Sequence, residues 1–121
     1  MRNYKGLKIW RKGFEISRNA YAFVKNFPKE EKYGLASQIT RAAVSIPVNI
    51  AEGTSRKSNR DFCRYLEISL GSSFELETEI MLAMDLSYGS QEIGNKLLIE
   101  ILEEQKMLSS YALRLKEDIN P

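Results

Sequence analysis

Apolar residues recur every three to four positions through the first quarter of the chain. Leu7, Trp10, Phe14, Tyr21 and Val24 form one seam, with Ser17 in register, and Ile9, Ile16, Ala20, Phe23 and Phe27 form a second. This period predicts a helix from about Gly6 to Asn26, ended by Phe27-Pro28 because the residue before a proline disfavours the α conformation. At about 100° per residue the two seams together span roughly 180°, against the ~100° stripe that one bundle face requires. The excess predicts a second buried contact, most simply another subunit. The opposite face carries Lys8, Arg11, Lys12, Arg18 and Lys25, with Glu15 alone against them.

A second helix is expected from Pro28 to Gly53, with proline at the first turn, Glu30 and Glu31 on the positive helix end, and Gly53 as a left-handed cap. Leu35, Ile39, Ala42, Ala43, Ile46 and Ile50 make its core stripe, and Val44, Val48 and Ala51 make another side mildly apolar. Between Tyr33 and Ser55 its only charges are Arg41 and Glu52. A helix apolar on most sides is buried on most sides, which again favours an oligomer. Gln38, Arg41, Ser45, Asn49 and Glu52 form a narrow polar seam along it. Pro47 removes the hydrogen bond to the Ala43 carbonyl, so the helix either bends there or breaks at Ser45–Pro47. The bend is preferred because the spacing of Ile46 and Ile50 continues through it.

A third helix is expected from Ser58, with Asp61 in a capping-box-like position, to about Ser87, where Tyr88-Gly89 breaks it. Phe62, Leu66, Leu76, Ile80 and Met84 share one face with Ser69 and Ser73, and the small residues Gly71, Ser72 and Ser73 would let the second helix approach closely. Ser90 is the expected cap of a fourth helix running to about Asp118, with Ile93, Leu97, Leu98, Ile101, Leu108, Tyr111, Ala112, Leu115 and Ile119 on its apolar face. No strand pattern of useful length is present. Long helices joined by short loops pack as antiparallel neighbours. The expectation is one all-α domain over residues 1–121: an antiparallel, up-down-up-down four-helix bundle whose second helix is kinked at Pro47.

Composition narrows the chemistry. The 121 residues contain no histidine and one cysteine, Cys63. Without histidine there is no Ser-His-Asp or Cys-His triad and no Glu-x-x-His di-iron site. No disulfide can form within the chain, which suggests a reducing compartment. The charged N-terminal stretch does not read as a signal peptide, and no apolar run approaches the ~18 residues of a membrane span. A cytoplasmic, non-membrane protein is expected, with Cys63 as a small buried apolar residue.

The net charge of +2 is unevenly spread. Residues 1–28 hold 7 basic and 1 acidic residue, net +6, whereas residues 58–88 hold 2 basic and 6 acidic, net −4. Such asymmetry points to nucleic acid or an acidic partner, or to neutralisation between helices or subunits. The basic face of the first helix and the loop residues Arg56, Lys57 and Arg60, with Arg64 one turn on, supply nine cations for phosphate. No stacking sheet or Gly-x-x-Gly clamp accompanies them, so binding would be electrostatic and weakly selective. Alternatively they form a plain solvated face. Glu75 and Glu79 extend the polar seam of Gln38, Arg41, Ser45, Asn49 and Glu52. Carboxylates alone would suit Mg²⁺ or Ca²⁺, but a structural network is preferred, with Arg41 paired to Glu52 or Glu75 and Asn49 bonded to the carbonyl freed by Pro47. No metal or cofactor is expected.

The ordered run Phe27-Pro28-x-x-Glu31-x-Tyr33-Gly34-Leu35, Gln38-Ile39-x-Arg41-Ala42-Ala43-Val44-Ser45-Ile46-Pro47-x-Asn49-Ile50-Ala51-Glu52-Gly53 and Gly71-Ser72-x-x-Glu75-Leu76-Glu77-Thr78 carries a family resemblance. It resembles the bacterial four-helix-bundle family encoded in 23S ribosomal RNA intervening sequences, which is similar in turn to the accessory variability determinant of diversity-generating retroelements. The usual alanine just before Gly71 or two residues after it is replaced by Leu70 and Ser73. The resemblance implies a homopentamer with a central pore and no enzymatic activity. For the retroelement relative it implies a basic surface for RNA or DNA and a protein partner such as a reverse transcriptase. A ribosomal component is the alternative protein partner. The expectation is therefore an oligomeric, non-catalytic protein that binds RNA or DNA through its basic surface, as an accessory to a second protein. The alternative is a protein–protein scaffold that binds no nucleic acid.

Overall fold

The computed structural model describes residues 2–119, with the side chain of Ile119 outside the described set. Four helices account for most of it: α1 (Lys8–Val24), α2 (Leu35–Thr54), α3 (Asn59–Asp85) and α4 (Gln91–Ile119). Short 3-10 turns at Tyr4–Gly6 and Lys29–Glu31 precede α1 and α2. Contacts between neighbours run in opposite directions along each pair. Ser17 meets Ala43 while Gly13 meets Ile46 and Pro47; Ile46 meets Ser69 while Gly53 meets Phe62 and Tyr65. Cys63 meets Ala112 while Glu77 meets Gln105, and α4 closes the ring through Lys12–Glu103 and Asn19–Glu100. This is an up-down-up-down bundle. The expected stripes meet on its axis, where Ile16, Phe23, Ile39, Ile46, Ile50, Phe62, Leu66, Leu76, Ile80, Leu97, Ile101 and Leu108 are all buried.

The second helix begins later than its sequence suggests. Pro28 introduces the 3-10 turn at Lys29–Glu31, and α2 starts only after Gly34, with Glu31 Oε1 accepting from the Leu35 amide at 3.1 Å. The acidic pair thus serves the turn and the true helix start. Gly53 is not a left-handed cap either: it lies inside α2 and is buried. A Cβ there would lie 2.8 Å from both Phe62 Cδ1 and Tyr65 Cβ, so its role is close approach of α3. Ser69, Ser72 and Ser73 face α2 or the core as expected, but Gly71 is on the solvent side.

The helix ends that do match show why. Ser58 Oγ accepts from the Asp61 amide, and Ser90 Oγ from the Ile93 amide, satisfying orphan donors of α3 and α4. α3 closes with Ser87 at φ 60, the Tyr88 amide bonding Ala83 O at 2.8 Å and the Ser87 amide bonding Met84 O at 3.0 Å. These two bonds are a Schellman motif with serine in the usual glycine position. Gly89 (φ 73) then turns the chain beneath Phe23.

α2 is continuous through Pro47. The carbonyl of Ala43, deprived of its amide partner, accepts from Ser17 Oγ of α1 at 3.0 Å. Asn49, expected to fill that role, instead donates to Ser45 O at 2.8 Å and Ser45 Oγ at 2.9 Å. Ser69 Oγ of α3 donates to Ile46 O at 2.9 Å, so the proline region is held from both flanking helices.

Candidate nucleic-acid interface

The α1 cations lie outward because the inner positions of that helix, Ile9, Gly13, Ile16, Ala20 and Phe23, are taken by the core. Lys8, Arg11, Arg18 and Lys25 are exposed along a ridge about 25 Å long. Lys12 differs: it is half-buried and its Nζ lies 3.5 Å from Glu103 Oε1 on α4. Arg56, Lys57, Arg60 and Arg64 are all exposed near the α2–α3 connection. Antiparallel packing sets that connection at the same end of the bundle as Lys8, and Arg2 joins the two regions. Its guanidinium donates to Arg56 O and Asn59 Oδ1 and lies 4.6 Å from the centre of the Phe62 ring. Arg56 lies over the Tyr65 ring and donates to its hydroxyl. Arg2 is not among the cations expected from the sequence, because its proximity to the basic loop arises only once the bundle closes.

The polar seam is a surface groove rather than an internal network. Gln38, Arg41, Ser45, Glu75 and Glu79 line a hollow of about 470 Å³ between α2 and α3, together with Ser72, whose hydroxyl lies 2.8 Å from that of Ser45. Gln38, Arg41, Glu52 and Glu75 are exposed, and Ser45, Asn49 and Glu79 half-buried. Among the described residues the ion pairs are Lys12–Glu103 and Lys116–Glu67, so Arg41 pairs with neither Glu52 nor Glu75. The seam is polar because it is wet. Burial pushes the Glu79 carboxyl up to about 7, helped by a hydrogen bond with Glu75 and by that neighbour's charge. No group of three potential ligands able to hold a metal ion occurs among the described residues.

Cys63 is buried, and burial, then Glu67, raises its thiol above the ordinary value. The core also contains an ionisable residue that the sequence reading missed. Glu104 is 0% exposed, and neither of its carboxyl oxygens has a hydrogen-bond partner. Burial lifts it to about 8, with Lys12 pulling the other way. Its oxygen occupies space left by Gly13, where a Cβ would lie 3.1 Å from Oε2. The spacing 97, 101, 104, 108 places it in the core stripe of α4, although the expected apolar face of that helix did not include it.

These features describe an all-α bundle with an exposed cationic ridge and a cationic end. Among the described residues no helix is long and apolar enough to cross a membrane. The chain belongs to the 23S rRNA-intervening sequence protein family, whose model matches residues 5–110. It is also similar to a protein of unknown function from the S23 ribosomal protein family of Bacteroides thetaiotaomicron, known from a crystal structure. That likeness has a TM-score of 0.77 at 26% identity and covers 86% of this chain and 97% of the other. No curated protein matches the sequence. Neither the family's description nor that of the solved relative names a reaction.

Proposed function

We propose that this protein is a non-catalytic, homopentameric bundle that binds RNA or DNA electrostatically through its basic surface, as an accessory to another protein. The observation that carries the nucleic-acid reading is the set Lys8, Arg11, Arg18, Lys25, Arg56, Lys57, Arg60 and Arg64. All eight are exposed, and none is in an ion pair among the described residues. Cations in that state can exchange counterions for phosphates, whereas Lys12, held by Glu103, serves the α1–α4 seam.

Oligomerisation is supported by apolar side chains that one chain leaves uncovered. Tyr21 is 58% and Ile99 62% exposed. Phe74, Met81, Leu102 and Leu113 are also exposed, at positions flanking the Glu77–Gln105 hydrogen bond on the outer α3–α4 face. The same face favours the second reading, a protein–protein scaffold without nucleic acid.

Replacing Lys8, Arg11 and Arg18 together with glutamine separates the two. Nucleic-acid binding predicts at least a tenfold loss of affinity for duplex DNA at fixed salt, with helical circular dichroism and oligomer size unchanged. Full affinity in the triple variant contradicts the assignment of this ridge, and dissociation of the oligomer assigns the charges to subunit pairing.

A further inference from the structure

We infer that the groove between the start of α1 and the second half of α4 is a seat for single-stranded nucleic acid, with phosphates on its cationic rim and unstacked bases against its apolar floor and the adjoining rings of Trp10 and Phe14. The inference rests on the nucleic-acid reading above and adds the strand class and the site. The groove has a volume of about 500 Å³ and a floor of Leu7, Ile9, Met107 and Tyr111, with Lys8, Lys106 and Arg114 at its edge. All three edge cations are exposed, and none is in an ion pair among the described residues. Lys106 and Arg114 come from α4, which holds 4 basic and 6 acidic residues, so only the folded bundle brings them to the basic ridge.

A second hollow of about 610 Å³ continues the first, sharing Lys8 and Met107 and adding Arg11, Trp10 and Phe14. The two together follow α4 from Glu103 to Arg114, about 16 Å at the helical rise. Their charged side chains are five cations, Lys8, Arg11, Lys12, Lys106 and Arg114, against two carboxylates, Glu15 and Glu103. One of those carboxylates is already neutralised by Lys12. The surplus is positive, as a polyanion requires.

The rings distinguish this surface from a plain basic patch. Phe14 is 47% exposed, and Trp10 and Tyr111 are half-buried at the edge of the core. Trp10 is held between Tyr4 and Phe14 at centroid distances of 5.2 and 5.4 Å, and Arg114 lies 5.3 Å over Tyr111. A duplex hides the faces of its bases and could use only the cations. A single strand can turn its bases onto apolar and aromatic surface while its backbone follows the rim, the combination on which sequence-tolerant single-strand binding rests.

The test compares a fluorescein-labelled 20-mer of oligo-dT with a 20-base-pair duplex by anisotropy at equal salt. The oligo-dT should bind the wild-type oligomer at least tenfold more tightly than the duplex. Lys106→Gln with Arg114→Gln should weaken oligo-dT binding by tenfold or more and flatten its salt slope by about 1.4, at about 0.7 per phosphate on a single strand. Phe14→Leu keeps the apolar volume and removes the ring; it should weaken oligo-dT binding several-fold more than duplex binding, which feels the change only through Arg18 on that ring. Equal affinity for both probes, or a double variant that binds oligo-dT like wild type, overturns the inference while the basic-surface reading stands. Binding of neither probe at low salt overturns both. A double variant of altered oligomer size by light scattering also overturns the inference, because the groove would then be a contact between copies.

Discussion

Glu104 shows how one residue can set the pH response of the whole bundle. Its carboxyl is buried among Gly13, Ile46 and Pro47, and Lys12 is the charged neighbour acting on it. In the unfolded chain it titrates near 4.5, and in the folded chain near 8. A folded value raised above the unfolded one means that the folded state holds the proton more tightly. The associated stability is fully present below about pH 4.5 and is lost as pH rises towards 8. The melting temperature should therefore fall across this window. Glu104→Gln should match wild type near pH 4.5 and exceed its stability near pH 8.5 by about 2–4 kcal/mol, measured by urea unfolding. Glu79 titrates near 7 and acts in the same direction, but it is partly exposed, so a small residual slope should remain. A wild-type melting temperature that rises from pH 5 to 8 would contradict this account. The position of Glu104 was legible in the helical period, but its burial was not, because it depends on Gly13 of a different helix making room.

At the scale of the element, α2 is the helix whose stability most depends on its neighbours. Pro47 withholds an amide from Ala43, and Ser17, whose one hydroxyl proton is shared between Gly13 O and Ala43 O at 3.0 Å each, replaces it in part from α1. Ser17→Ala should strand that carbonyl and cost about 1–2 kcal/mol, read as a lower urea midpoint with unchanged slope. In a Pro47→Ala background the amide at position 47 can serve Ala43 itself, so the same serine substitution should cost much less. Equal costs in both backgrounds would mean that Ser17 does not act through that carbonyl. The sequence placed Ser17 in register with the first apolar seam but chose Asn49 as the donor, because Asn49 is near in sequence and Ser17 is near only in the folded bundle. The same limit explains Pro28 and Gly53. Their local chemistry suits a helix start and a helix end, yet Gly34 delays the start, and the rings of Phe62 and Tyr65 give Gly53 a packing role. Where a cap acts within its own turn, as at Ser58 and Ser90, the sequence was sufficient.

Across the whole molecule, the four helical periods and their short connections made the bundle legible, since each apolar stripe has one way to be buried. The wide apolar arc of α1 was also legible, and in one chain it leaves Tyr21 outside the core. Together with the exposed residues of α3 and α4, it leads us to expect light scattering to report a closed oligomer, a homopentamer; a monomer at micromolar concentration would contradict this. The basic ridge was read from charge spacing alone. The separation of Lys12 from that ridge, and the addition of Arg2, required the folded positions of Glu103 and Asn59. The central claim is that the exposed cations engage phosphates, and the salt dependence of duplex-DNA binding tests it most directly. Each phosphate contacted adds about −0.9 to the slope of log K against log salt, so several subunits on one duplex should give a slope steeper than about −4. A slope near zero, or no binding even at low salt, would contradict the claim.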